Sequence, residues 1–116
     1  MMGDPTNLVG GAGRWPEWSP LIEGALRRLA RRYVWWKTPD EALVTPERVI
    51  AQVMNMGDQR DVEAMAALVG DRVLRDVLTH AEAGQFSDRA WTYWHYRLDL
   101  AALGNVPPLP TRSLGR

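Results

Sequence analysis

The feature that most constrains this chain is its punctuation. Between residues 19 and 104, each apolar stretch is opened by a helix-start signal and closed by a stop. Ser19-Pro20, Thr38-Pro39 and Thr45-Pro46 each set a capping hydroxyl before a proline. Proline suits the first helical position, because its missing N–H would have no helical partner there. Asp58, Asp71 and Ser87 are further N-cap candidates, and Gly57, Gly70, Gly84 and Gly104 stand where the apolar stripes run out. Gly57 reads as a left-handed C-cap.

The stripes between these signals have helical period. Ile22, Ala25, Leu26, Leu29 and Tyr33 predict a helix from Pro20 to about Tyr33. Thr38 and Glu41, three apart, form a capping box that opens a short turn of helix. Val49, Ile50, Val53, Met54 and Met56 predict a helix ending at Gly57. Val62, Met65, Ala66 and Val69 predict the next, and Val73, Leu74, Val77, Leu78 and Ala81 the one after it. The last and longest is predicted from Asp88 to Leu103, stopping at Gly104. No period-two alternation marks a strand. The expected fold is all-α: a compact bundle of about five short helices over residues 19–104. A flexible, glycine-rich arm (1–18) precedes it, with Trp15 and Trp18 tucked against the body, and an extended, proline-rich tail (105–116) follows.

Composition narrows the chemistry. With no cysteine among its 116 residues, the chain has no disulfide, thiolate metal site or cysteine nucleophile. No apolar run reaches the roughly 18 residues that span a bilayer. Met1 to Gly13 lacks the basic start and apolar core of a secretory signal, so the expected location is cytoplasmic, away from membranes. Formal net charge is zero, which gives no bulk attraction to nucleic acid. His80 and His95 have no third ligand at metal-binding spacing, so both read as structural. Asp58 with Asp61, and Asp40 with Glu41, fall in first helical turns, where carboxylates answer the helix dipole. No phosphate-binding loop or nucleophile elbow is present. The expectation is a non-enzyme with no metal and no cofactor.

Surface binding is the better-supported class. The segments 58–69 and 71–81 can be read as a helix-turn-helix, with Arg72 and Arg75 facing a DNA groove, although Asp71 and Asp76 oppose that reading. Arg27, Arg28, Arg31 and Arg32 form a basic face opposite the apolar stripe of the first helix, fit for phosphate or an acidic partner. Thirteen of the fourteen basic residues are arginine, Lys37 being the exception, which codon bias or recognition of planar anions would explain. The six tryptophans come in three groups: Trp15 with Trp18, Trp35 with Trp36, and Trp91 with Trp94. On the last helix Trp91, Trp94 and Leu98 share one stripe, while Tyr93, Tyr96, Leu100 and Leu103 form a second on the opposite side. A helix apolar on two sides is buried on both or binds something. The first helix and the arm could cover it, or a protein partner or second copy could dock there. The candidate partner-binding residues are therefore Trp35, Trp36, Tyr93, Tyr96, Leu100, Arg27, Arg28 and Arg31.

Tyr33-Val34-Trp35-Trp36, the run Thr45 to Gly57, the run Asp61 to Gly70, Phe86-Ser87 and Trp91-Thr92-Tyr93-Trp94 together resemble a small bacterial family of unknown function. Its members have an aromatic opening, an R-V/I-I-x-Q/R-V-M/L-x-x-G helix, an acidic-capped helix ending Leu-x-Gly, and a closing S-x-x-x-W-x-F/Y-W helix. They resemble accessory proteins encoded beside nucleotidyltransferase-like toxins of the abortive-infection type. The resemblance spans about Tyr33 to Leu98. It implies an antitoxin or accessory role exercised on such a toxin, with no catalytic residue.

Overall fold

A computed structural model describes residues 19–111; residues 1–18, with Trp15 and Trp18, and residues 112–116 lie outside it. The described residues form six helices: α1 (Pro20–Tyr33), α2 (Pro39–Ala42), α3 (Pro46–Met56), α4 (Gln59–Val69), α5 (Asp71–Thr79) and α6 (Asp88–Arg97). There is no strand among the described residues, and the domain is all-α, as the periodicity predicts. The short turn opened by Thr38 is a helix of its own, α2.

Four of the start signals act through their side chains. Ser19, Thr38, Asp58 and Ser87 accept hydrogen bonds from the backbone N–H groups of Ile22, Glu41, Asp61 and Ala90. Each satisfies one of the four N–H groups a helix leaves unpaired at its start. The Thr38–Glu41 capping box closes in both directions. Thr45 makes no side-chain cap bond; its contribution is to precede Pro46.

The bundle is organised around α3, which packs against all five other helices. Pro46, Val49, Ile50, Ala51, Val53 and Met54 are all buried, so most of its circumference faces protein. Leu26 and Ala30 from α1, Met65 from α4, Leu74 and Leu78 from α5, Trp94 from α6 and Leu98 just after it complete the core. Helix α6 is tied to the C-terminal end of α3 at two points. The Trp94 indole N–H donates to the Met54 carbonyl (2.9 Å), and the Ser87 N–H donates to Asn55 Oδ1 (2.9 Å). Trp94 is 1% exposed. Its indole therefore both fills core volume and satisfies a carbonyl that the end of α3 leaves without a helical partner.

Several boundaries differ from the sequence expectation, each for a physical reason. Gly57 is not left-handed: its φ is −66° and its ψ 150°. Glycine is needed there for closeness, because a Cβ would stand 2.6 Å from the Val53 carbonyl oxygen and 3.0 Å from a Val62 methyl. Gly70, at φ 87°, is the left-handed joint; it ends α4 and caps α5, so Asp71 is the first residue of α5 and not its cap. Helix α5 ends at Thr79, short of Ala81.

Helix α6 stops at Arg97 and not at Leu103. Asp99 takes φ 60°, the Asp99 N–H bonds the Tyr96 carbonyl (3.2 Å), and the Leu100 N–H bonds the His95 carbonyl (2.9 Å). This is a Schellman-type ending with aspartate where glycine is usual. Arg75 Nε, from α5, donates to the Leu98 carbonyl (3.0 Å) and satisfies another acceptor at the same end. Helix α6 packs on α3, so α1 is not the cover over its tyrosines.

Trp94→Ala should cost about 3–5 kcal/mol in urea unfolding followed by circular dichroism. Trp94→Phe keeps a ring but strands the Met54 carbonyl and should cost about 1–3 kcal/mol from that group alone. A Trp94→Phe variant as stable as the parent would show that the hydrogen bond contributes nothing.

Candidate functional site

Among the described residues, the most exposed aromatic surface lies where α1 gives way to α2. Val34 is buried and its N–H still bonds Ala30, after which the chain leaves the helix and the Lys37 N–H bonds the Val34 carbonyl. This short closed turn swings Trp35 and Trp36 outward, 74% and 57% exposed, their rings 5.5 Å apart in a T-shaped pair. Trp36 and Lys37 form one edge of a groove of about 340 Å³, with Val34, Ala42 and Val49 beneath and Arg48, Gln52 and Glu82 among its polar lining. Arg48 and Glu82 pair at 3.1 Å. Gln52 donates to the sulfur of Met56 (3.3 Å), itself a further exposed apolar side chain on α3.

The arginine face behind this turn divides into two kinds. Arg27 is engaged, bonding Asp40 (2.6 Å) and Glu23 (3.2 Å), and so ties α1 to α2. The hydrogen bond to Asp40, followed by that to Glu23, raises its pKa above the ordinary guanidinium value. Arg28 and Arg31 are exposed and have no ion pair among the described residues, so their charge is available to a partner. Arg32 bridges Asp58 and Asp61 at the start of α4 (3.0 and 3.2 Å). The Tyr33 hydroxyl donates to Asp61 (2.7 Å) and accepts from the Asp58 N–H (3.1 Å). These contacts hold the last turn of α1 on the first turn of α4, which fixes the direction in which Trp35 and Trp36 leave the domain.

A second surface lies along α6. Tyr93 is 50% and Tyr96 38% exposed, so this side of the helix is partly open. Arg97 lies over the rings of Trp94 (4.8 Å) and Tyr93 (5.9 Å), and makes two bonds to the Glu63 carboxylate, both 2.7 Å. That bidentate pair raises the Arg97 pKa well above its usual range and lowers that of Glu63. The Tyr93 hydroxyl accepts from Arg97, while the Tyr96 hydroxyl accepts from the Gly104 N–H (2.9 Å) and pins the chain after α6. A shallow groove of about 510 Å³ runs beside Tyr93, floored by Met54, Val62, Ala90 and Trp94. Leu100 stands apart from these two tyrosines: it is half-buried and packs on the core beyond the helix end. The four-residue stripe read from sequence breaks at Asp99.

The remaining candidates are used locally. Arg75 is committed to the Leu98 carbonyl, while Arg72 is exposed on α5. His95 is buried, its Nδ1 2.8 Å from the Trp91 carbonyl and its ring against Trp91. His80 is exposed beside Asp76, 3.2 Å from its carboxylate. Among the described residues, no three His, Asp or Glu side chains gather as metal ligands, and no helix is long and apolar enough to cross a membrane. The Arg97–Glu63 clamp was not anticipated; its one sequence signal is a cation in the last turn of a helix. No protein-family model, curated protein or solved structure matches the chain.

Burial, and then the bond to Asp61, raise the Tyr33 pKa above its ordinary value of 10.0. The folded state therefore holds that proton more tightly than the unfolded chain does. The stability this contributes is complete below about pH 10 and is lost as pH rises toward the folded value. Urea midpoints measured between pH 8 and 11 should fall at the alkaline end, and more steeply than in Tyr33→Phe. Equal slopes would mean the hydroxyl is not coupled to folding.

Proposed function

We propose that this domain is a cytoplasmic, non-enzymatic binding module that holds a protein partner through the Trp35–Trp36 turn. One observation carries the reading: two adjacent tryptophans stand out from a turn anchored before them by buried Val34 and the Tyr33–Asp58–Asp61 contacts, and closed after them by the Lys37 N–H on the Val34 carbonyl. A rigid, pre-exposed aromatic pair loses little conformational freedom on binding, and tryptophan and arginine dominate interface hot spots. Arg28 and Arg31, uncommitted among the described residues, supply the charged flank. Tyr93 and Tyr96 make a second, less exposed patch. The family resemblance points to a nucleotidyltransferase-like toxin as the partner, restrained sterically, with the free arginines meeting its acidic or nucleotide-binding groups.

DNA binding through α4 and α5 has less support, since Arg75 is occupied and Asp71 and Asp76 share the helix. The test is co-purification with the product of the neighbouring gene, followed by titration of the pair. Trp35→Ala with Trp36→Ala should leave the melting temperature nearly unchanged. It should weaken association 10-fold or more, about 1.4 kcal/mol upward. Raising salt should weaken the pair modestly, through the arginine flank, whereas DNA binding would fall steeply. A double variant that binds as well as the parent removes the turn from the account.

A further inference from the structure

The segment after α6, Asn105 to Thr111, is neither helix nor strand. Pro107, Pro108 and Pro110 have φ fixed near −65°, and each proline pushes the residue before it into extended backbone. Such a run favours polyproline II backbone, which has three residues per turn. Val106 and Leu109, three apart, are half-buried and pack on the hydrophobic core; Pro110 after them is also half-buried, while Pro107 and Pro108 between them are exposed. Between the two anchors the Trp91 indole N–H donates to the Pro107 carbonyl (2.8 Å). Trp91 is 7% exposed and sits in an aromatic cluster with Phe86 (5.9 Å) and His95 (4.3 Å).

These are the elements by which aromatic grooves take proline-rich ligands: apolar side chains three apart, and an indole donor for a carbonyl that has no helical or sheet partner. A polyproline strand makes no internal hydrogen bonds, so its carbonyls are open to such a donor. We propose that the Trp91 face of α6 is a polyproline II binding site. In this chain residues 105–111 fill it as a tethered stand-in, and its exchangeable ligand is a proline-rich segment of a partner protein with the pattern apolar-Pro-Pro-apolar. The site is separate from the Trp35–Trp36 turn and stands whether or not that turn binds anything. Tethering makes the tail a strong competitor for the site, since a segment joined by a short linker competes at an effective concentration of ~mM. A partner peptide gains the groove only when the tail is weakened or the peptide is held nearby by another contact.

The test uses the full chain. Val106→Ser with Leu109→Ser removes both apolar anchors of the tail without touching Trp91. A synthetic peptide spanning Asn105–Thr111 is then titrated calorimetrically into parent and variant. The variant should bind it saturably and at least tenfold more tightly than the parent, and a scrambled peptide should not bind. Adding Trp91→Phe, which keeps an aromatic ring but loses the donor, should reduce that affinity severalfold. Three results would each overturn the proposal: a folded variant that ignores the peptide, equal binding to parent and variant, or an affinity indifferent to Trp91→Phe. A double-serine variant that loses its helical circular dichroism would make the tail part of the core, and would overturn it as well.

Discussion

The end of α3 is the constraint on which the rest of the structure hangs. The core-facing carbonyls at the end of a helix buried on most of its circumference cannot reach water, so they need partners from the protein. Met54 finds one in the Trp94 indole, forty positions further along the chain, and Val53 finds one in the Gly57 N–H. The second bond is possible only because Gly57 lacks a Cβ, which lets α4 start directly against α3. The position of α6 and the angle at which α4 departs both follow from satisfying this one buried terminus.

The aromatic residues sort by what their polar atoms are asked to do. Trp94 and Trp91 have buried rings with indoles that each donate to a specific carbonyl, of Met54 and Pro107. Trp35 and Trp36 have neither role and are exposed. Tyr93 and Tyr96 lie between: each hydroxyl accepts a bond from the protein while the ring remains partly open. Burial of a tryptophan without a partner for its N–H is costly, so the first pair is tied to its position in a way the exposed pair is not. High aromatic content alone would not have separated these groups.

Local signals were legible in the residues, and long-range ones were not. Caps at Ser19, Thr38, Asp58 and Ser87 act within three residues, so their pattern is written in adjacent letters. The inward stripe Trp91, Trp94 and Leu98 was equally readable, because helical period reports which face is apolar. Asp99 was missed because aspartate enters the left-handed region far less often than glycine, and Gly104 offered the stronger local stop. The need for glycine at position 57 is not legible in sequence, because a crowded neighbour leaves no local signature. Of the candidate surface, the identity of Trp35, Trp36, Arg28 and Arg31 was visible. The bonds of Arg27 to Asp40 and of Arg75 to the Leu98 carbonyl were not, since each partner lies 13 or 23 residues further along the chain.

The scarcity of lysine acquires a practical meaning from the fold. Lys37 is the one lysine of the chain, and it sits exposed directly after Trp36, on the rim of the groove that the pair borders. Every other side-chain cation is a guanidinium, inert to reagents that acylate primary amines. The protein thus carries a single side-chain amine, and it lies beside its most exposed aromatic pair. A fluorophore attached there reports from the rim of that groove and leaves the core and the α6 face unlabelled.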